Sequence, residues 1–150
     1  MLSAARPSSR TRVFPAQPRA LFDVRTFLRE LCHEEGVDGG AADDIVLAVS
    51  EACANAVVHS GSAVFRVGWR IRPDRVEVSI GDQGRFVRKV PLPELEGQGG
   101  HGIPLMTALM DEVSVRRGTS RRGTEVRLTK RLERVGTRAA LRPAGTPART

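Results

Sequence analysis

The sequence lacks any run of 18 or more apolar residues, so it offers no membrane-spanning helix. Its first twenty residues, MLSAARPSSRTRVFPAQPRA, scatter arginines but contain no apolar stretch of the kind a secretory signal needs. Cysteine is scarce: Cys32 and Cys53 are isolated, each inside a helix-like stretch, and no Cys-x-x-Cys occurs. With only three scattered histidines, that excludes a zinc site and favours buried thiols in a reducing, cytoplasmic setting over a disulfide. No Gly-Lys-Ser/Thr occurs, so there is no Walker-type phosphate loop. Internal repeats are absent as well.

Acidic residues are missing from residues 1–20, which hold four Arg, and residues 131–150 hold five Arg against Glu133 alone. The formal net charge of +7 therefore sits in the two ends, and the 110 residues between carry 15 Lys+Arg against 16 Asp+Glu. A near-neutral body with basic Pro/Ala/Thr/Arg ends argues against a nucleic-acid-binding face, and no aromatic-basic stacking stretch supports one. A chain of 150 residues suits one domain with one core. The expected division is a disordered basic tail over 1–12, a folded domain over 13–132 and a second disordered basic tail over 133–150.

The folded part opens with a short apolar start at Val13–Phe14. Leu21, Val24, Leu28 and Leu31 then recur at helical spacing, with Gly36 as a stop. VDGGAA reads as a loop, and DDIVLAVSEACANAVVHSG as a second helix with Asp43 and Asp44 in its first turn. AVFRVGWRI and VEVSIGD alternate with period two around the turn RPDR, an antiparallel hairpin. An irregular stretch from Gln83 to about His101 precedes a third helix, IPLMTALMD, with Pro104 in its first turn. VSVRR and TEVRLTK form a second hairpin. The class is α+β: a two-layer sandwich with helices on one face of a mostly antiparallel, mixed sheet.

Residues 97–102, GQGGHG, have the spacing G-x-G-x-x-G. A dinucleotide fingerprint must leave a buried strand inside a βαβ unit, whereas VPLPELE precedes these glycines and its prolines forbid a central strand. What remains is a glycine-rich loop entering a helix, able to cradle a phosphate on its backbone N–H groups, or simply a loop. Glu51, Asn55 and His59 stack at i, i+4 and i+8 on a helix otherwise apolar nearly all round. They are either buried groups awaiting a hydrated metal and phosphate or a polar edge facing solvent. Asp82 continues the inward period of Val76, Val78 and Ile80, as an acceptor for a ligand amine or as the start of an Asx turn. Gly123-Thr124 opens the last strand, for which a hairpin turn suffices.

In their order, Glu51…Asn55, Asp82-x-Gly84, the glycine loop and Gly123-Thr124 resemble the Bergerat-type ATP-binding fold. Gyrase-type ATPases, the ninety-kilodalton heat-shock chaperone, histidine kinases and mismatch-repair ATPases share that fold. Within it the chain is most similar, over roughly residues 13–130, to the small stand-alone serine-kinase anti-sigma factors of bacteria. EACANAVVHSG matches their N-box and GGHGIPLMTALMDEV their glycine box with the helix behind it.

The resemblance implies ATP and Mg²⁺ as ligands, with Asn55 on the metal and Glu51 as the general base for a protein serine. It implies that Asp82 accepts from the adenine amine, that Gly84 leaves room for the base and that Thr124 supports it through water. It places the backbone amides of Gly99, Gly100, His101 and Gly102 on the phosphates. A basic group near the γ-phosphate would aid transfer, and Arg85, Arg88 and Lys89 are candidates for it or simply solvated loop charges. The implied partners are a sigma factor, a STAS-type anti-sigma-factor antagonist and a second copy of the chain. The sequence departs from the pattern at Phe86, where a glycine is usual, and in a short lid stiffened by VPLPELE. An alternative is therefore a non-catalytic module that uses the same pocket to hold a partner.

Overall fold

A computed structural model describes residues 8–59, 61–82, 102–117 and 123–133. In chain order these form β1 (Ser8–Pro15), α1 (Ala20–Glu35), α2 (Gly39–His59), β2 (Val64–Arg72), β3 (Arg75–Asp82), α3 (Gly102–Leu109), β4 (Glu112–Arg117) and β5 (Thr124–Arg131). The five strands make one sheet in the order β1-β2-β3-β5-β4, and all four pairings are antiparallel. The helices lie on one face of it, with α2 central, touching α1, α3, β2, β3 and β5. This is the expected α+β sandwich, with every described pairing antiparallel rather than most of them.

Alternation decides which face is covered. Phe65, Val67, Trp69 and Ile71 of β2 and Val76, Val78 and Ile80 of β3 are all buried, as period two requires. They meet Val24, Leu28 and Leu31 of α1, Ile45, Val49 and Cys53 of α2, and Met106 of α3 in one core. Helix α1 ends where Gly36 turns left-handed (φ 72°) and the Val37 N–H donates to the Cys32 carbonyl at 2.9 Å. That six-to-one closure satisfies a carbonyl the helix cannot.

Two elements begin earlier than the sequence suggests. The loop in VDGGAA is limited to Val37–Asp38: the Asp38 carboxylate accepts from the Ala41 N–H at 3.1 Å, and helix α2 starts at Gly39. An aspartate cap therefore outweighs two glycines of low helix propensity. Asp43 and Asp44 are consequently past the first turn and pair laterally, Asp43 with Arg29 at 3.2 Å and Asp44 with Lys130 at 2.8 Å. Strand β1 begins at Ser8, not at Val13, so residues 8–12 lie in the sheet rather than in a tail. The first half of its helix-facing side is polar, ahead of buried Phe14: Ser8 donates to Glu35 at 3.3 Å, and Arg10 pairs with Glu34 at 3.8 Å. The Arg12 guanidinium covers Phe14 and Phe27, at 4.9 and 5.6 Å from the ring centroids. Residues 1–7 and 134–150 lie outside the described residues.

Lys130 ties three elements together. From β5, its Nζ donates to Asp44 of α2 and, at 2.7 Å, to the Leu109 carbonyl that ends α3. Replacing it with methionine leaves a carboxylate and a helix-end carbonyl unanswered. Lys130→Met should cost about 1–3 kcal/mol, measured by urea unfolding followed through Trp69, the single tryptophan, which is buried in the core.

Candidate functional site

The site is assembled from the end of β3, the start of β5 and the middle of α2. Asp82 is the last residue of β3 and continues the core-facing period, half-buried beneath the helix layer. Just past the last pair of the β3–β5 ladder, Gly81 opposite Glu125, the Thr124 backbone N–H donates to Asp82 Oδ2 at 3.4 Å. The carboxylate lies directly over Gly123: a Cβ there would stand 2.7 Å from Oδ2 and overlap Oδ1 outright. Gly123 is thus what allows an acidic side chain to lie against the mouth of the second hairpin. A hairpin-turn reading of Gly123-Thr124 misses this, because the residue that needs the space is 41 positions away. An Asx turn from Asp82 would involve residues 83 and 84, which lie outside the described residues.

On α2, Glu51 and Asn55 are half-buried and one turn apart. The helix is not covered all round, since Leu47 and Val58 are 46% and 70% exposed. The strip that carries Glu51 therefore runs along the margin of the core. Apolar composition alone cannot show that a helix's outer side has nothing above it. Beside Glu51, the hydroxyl of buried Ser50 accepts from the Arg25 guanidinium at 3.2 Å, which fixes α1 against α2 at this level. His59 closes the same stripe in sequence, but its side chain lies outside the described residues, as do Gly84, Gly99, Gly100, His101, Phe86, Arg85, Arg88 and Lys89. Gly102 is the first residue of α3, which packs on α2.

Among the described residues no three His, Cys, Asp or Glu side chains converge. Magnesium commonly takes one or two protein oxygens and completes its shell with phosphate and water, and the Asn55 amide suits that role. An aspartate carboxylate is an acceptor-only group with roughly four lone-pair positions.

Residues 14–130 match the histidine kinase-like ATPase domain. The chain belongs to that family. It is 36% identical to the serine-protein kinase RsbW of Bacillus velezensis over 136 residues, 79% of this chain and 82% of the relative. The RsbW of Bacillus subtilis is 35% identical over the same shares. The anti-sigma F factor of Pasteuria penetrans is 36% identical over 60% of this chain and 68% of its own length. In structure, the RsbU and RsbW domains of a Mycobacterium tuberculosis protein superpose with a TM-score of 0.65 at 28% identity, over 83% of this chain and 32% of that one. The recognised anti-sigma kinase likeness and the ATPase-type sandwich both stand. No helix among the described residues is long and apolar enough to cross a membrane.

Cys32 and Cys53 are both buried and free. Burial pushes the Cys32 thiol up to about 11, with Arg29 pulling the other way, and burial alone raises Cys53 further. An acid whose pKa is raised by folding stabilises the fold below its ordinary value, 9.0, and loses that contribution as pH climbs through the folded value. Native protein should therefore resist iodoacetamide at mildly alkaline pH, react at both cysteines in urea, and lose stability between about pH 9 and 11. Rapid native alkylation, read by mass spectrometry, contradicts this.

Proposed function

We propose that this chain is an ATP-dependent serine kinase that acts as an anti-sigma factor, switched between a sigma factor and a STAS-type antagonist that it phosphorylates. The observation that carries the reading is the Asp82 carboxylate, held at the sheet's end against Gly123 and the Thr124 amide. Its support from outside the chain is the run of serine-protein kinases among its relatives. A cytoplasmic place and a homodimer belong to the same reading, supported by the resemblance of the N-box and glycine box.

In this mechanism Asp82 accepts a hydrogen bond from the adenine amine and sets the orientation of the nucleotide. Gly84 leaves space for the base, and Thr124 holds Asp82 in place while supporting the ring through water. The amides of Gly99, Gly100, His101 and Gly102 hold phosphate oxygens where the positive end of α3 favours negative charge. Asn55 supplies a neutral oxygen ligand to Mg²⁺, which when bound neutralises phosphate charge. Glu51, one turn before Asn55, takes the proton of an incoming serine hydroxyl. Phosphoryl transfer needs little beyond such positioning and charge neutralisation.

Asp82→Ala and Asn55→Ala should lose ATP·Mg²⁺ binding by calorimetry. Glu51→Gln should keep that binding and lose transfer of labelled phosphate to an antagonist serine by about 10²-fold or more. Gly123→Ala should weaken binding by displacing the Asp82 carboxylate while the far-ultraviolet spectrum stays that of the wild type. Undiminished transfer in Glu51→Gln removes the base assignment. Tight ATP binding without transfer to any antagonist makes the chain the non-catalytic module that Phe86 and the short lid favour.

A further inference from the structure

The sheet face opposite the helices is open among the described residues, and its composition is unlike the neutral average of the folded part. Seven arginines and three glutamates point out from β2, β3, β4 and β5, a local excess of four positive charges. All three glutamates are already engaged within the face. Glu77 is held by Arg75 at 2.8 Å and Arg72 at 3.8 Å, Glu125 by Arg127 at 3.4 Å, and Glu112 by Arg131 at 3.8 Å. The Arg75 hydrogen bond holds the Glu77 carboxyl below its ordinary value, so that carboxylate is charged and committed. Arg66, Arg70 and Arg116 are exposed and lie within ion-pair distance of no carboxylate among the described residues, although Arg70, opposite Glu77, adds its charge to those that hold that carboxyl low.

The register gives these charges a shape. One row across the sheet runs Thr11, Gly68, Ser79, Arg127, Ser114, four of its five side chains small. Gly68 is required there, since a Cβ would stand 2.8 Å from Ser79 Oγ. On one side this floor is flanked by the row that holds Arg66 and Arg116, and on the other by the row that holds Arg70. Residues four apart on a strand are about 13 Å apart, so Arg66 and Arg70 stand as walls of a shallow trough across the strands.

We propose that this trough is a docking surface for an acidic segment of a partner protein, whose carboxylates meet Arg66, Arg70 and Arg116. The observations remove the other occupants. The chain's own ends are arginine-rich and repel the face. A second copy docked by the same face would set its surplus positive charge against an identical surplus. Nucleic acid would meet, among the described residues of this face, no aromatic ring to stack on, since Phe14, Phe65 and Trp69 are buried beneath the other face. Guanidinium forks suit paired carboxylates. The surface is independent of the nucleotide reading, being on the opposite side of the sheet from α2 and α3.

The test uses the full chain and a fluorescein-labelled oligo-glutamate peptide, read by fluorescence anisotropy. The triple variant R66E/R70E/R116E should bind the peptide at least about tenfold more weakly than wild type, with salt weakening the wild type alone. A control triple in the C-terminal tail, R138E/R142E/R149E, removes the same charge and should lose less than about threefold. Calorimetric ATP binding by the face variant reports separately on the site described above and should equal the wild type. If reversal prevents folding, R66Q/R70Q/R116Q is measured in its place, with a loss of about threefold or more expected. Equal losses in the face and tail variants overturn the proposal. So does a DNA duplex that binds more tightly than the peptide through the same three arginines, or a wild-type dimer that the face variant dissolves in sedimentation.

Discussion

Covering one face of the sheet with helices, while no described element covers the other, is the constraint on which the rest depends. Because side chains alternate along a strand, the same residues that bury Phe65, Val67, Trp69 and Ile71 must turn Arg66, Gly68 and Arg70 outward. The helices then have one place to lie, and the end of β3 has one way to aim its last side chain. Asp82 reaches the helix side for the same reason that Ile80 is buried. The carboxylate's position is thus inherited from the core, and the core's stability stands behind the geometry of the site.

That inheritance explains how the site is built from distant parts. Asp82 ends one strand and Thr124 begins its neighbour, so the β3–β5 ladder sets their separation directly. Gly123 adds the missing volume. Glu51 and Asn55 come from α2, which lies over β3 and β5 and is tied to them by Lys130 through Asp44. The same lysine grips the end of α3, the helix that begins at Gly102. Contributions from two strands and two helices are in this way fixed by one lateral network rather than by chain continuity.

Much of the fold was legible in the sequence because it is written in local patterns. Period two located β2 and β3, helical spacing located α1, and Gly36 marked its end. What was illegible depended on partners remote in the chain. Strand β1 faces α1 with Ser8, Arg10 and Arg12, so its first half shows no apolar alternation, and only Glu34, Glu35 and Phe27 make sense of it. The start of α2 was hidden by Gly39 and Gly40, whose low propensity masked the Asp38 cap. At the candidate site, Asp82's inward aim followed from periodicity. Why residue 123 must be glycine did not, since no local rule places a carboxylate from residue 82 above its Cα.

The strand order carries one more consequence. Between β3 and β5 the chain makes a detour that includes α3 and β4 and then returns to pair beside the strand it left. The ends of that detour are stapled by seven consecutive residue pairs, from Gly81 opposite Glu125 to Arg75 opposite Arg131. Whatever route residues 83–101 follow, they run between two fixed posts, the tip of β3 and the first turn of α3. The seven-pair ladder holds the tip of β3 beside the start of β5, so a ligand touching both posts would meet a sheet already formed there.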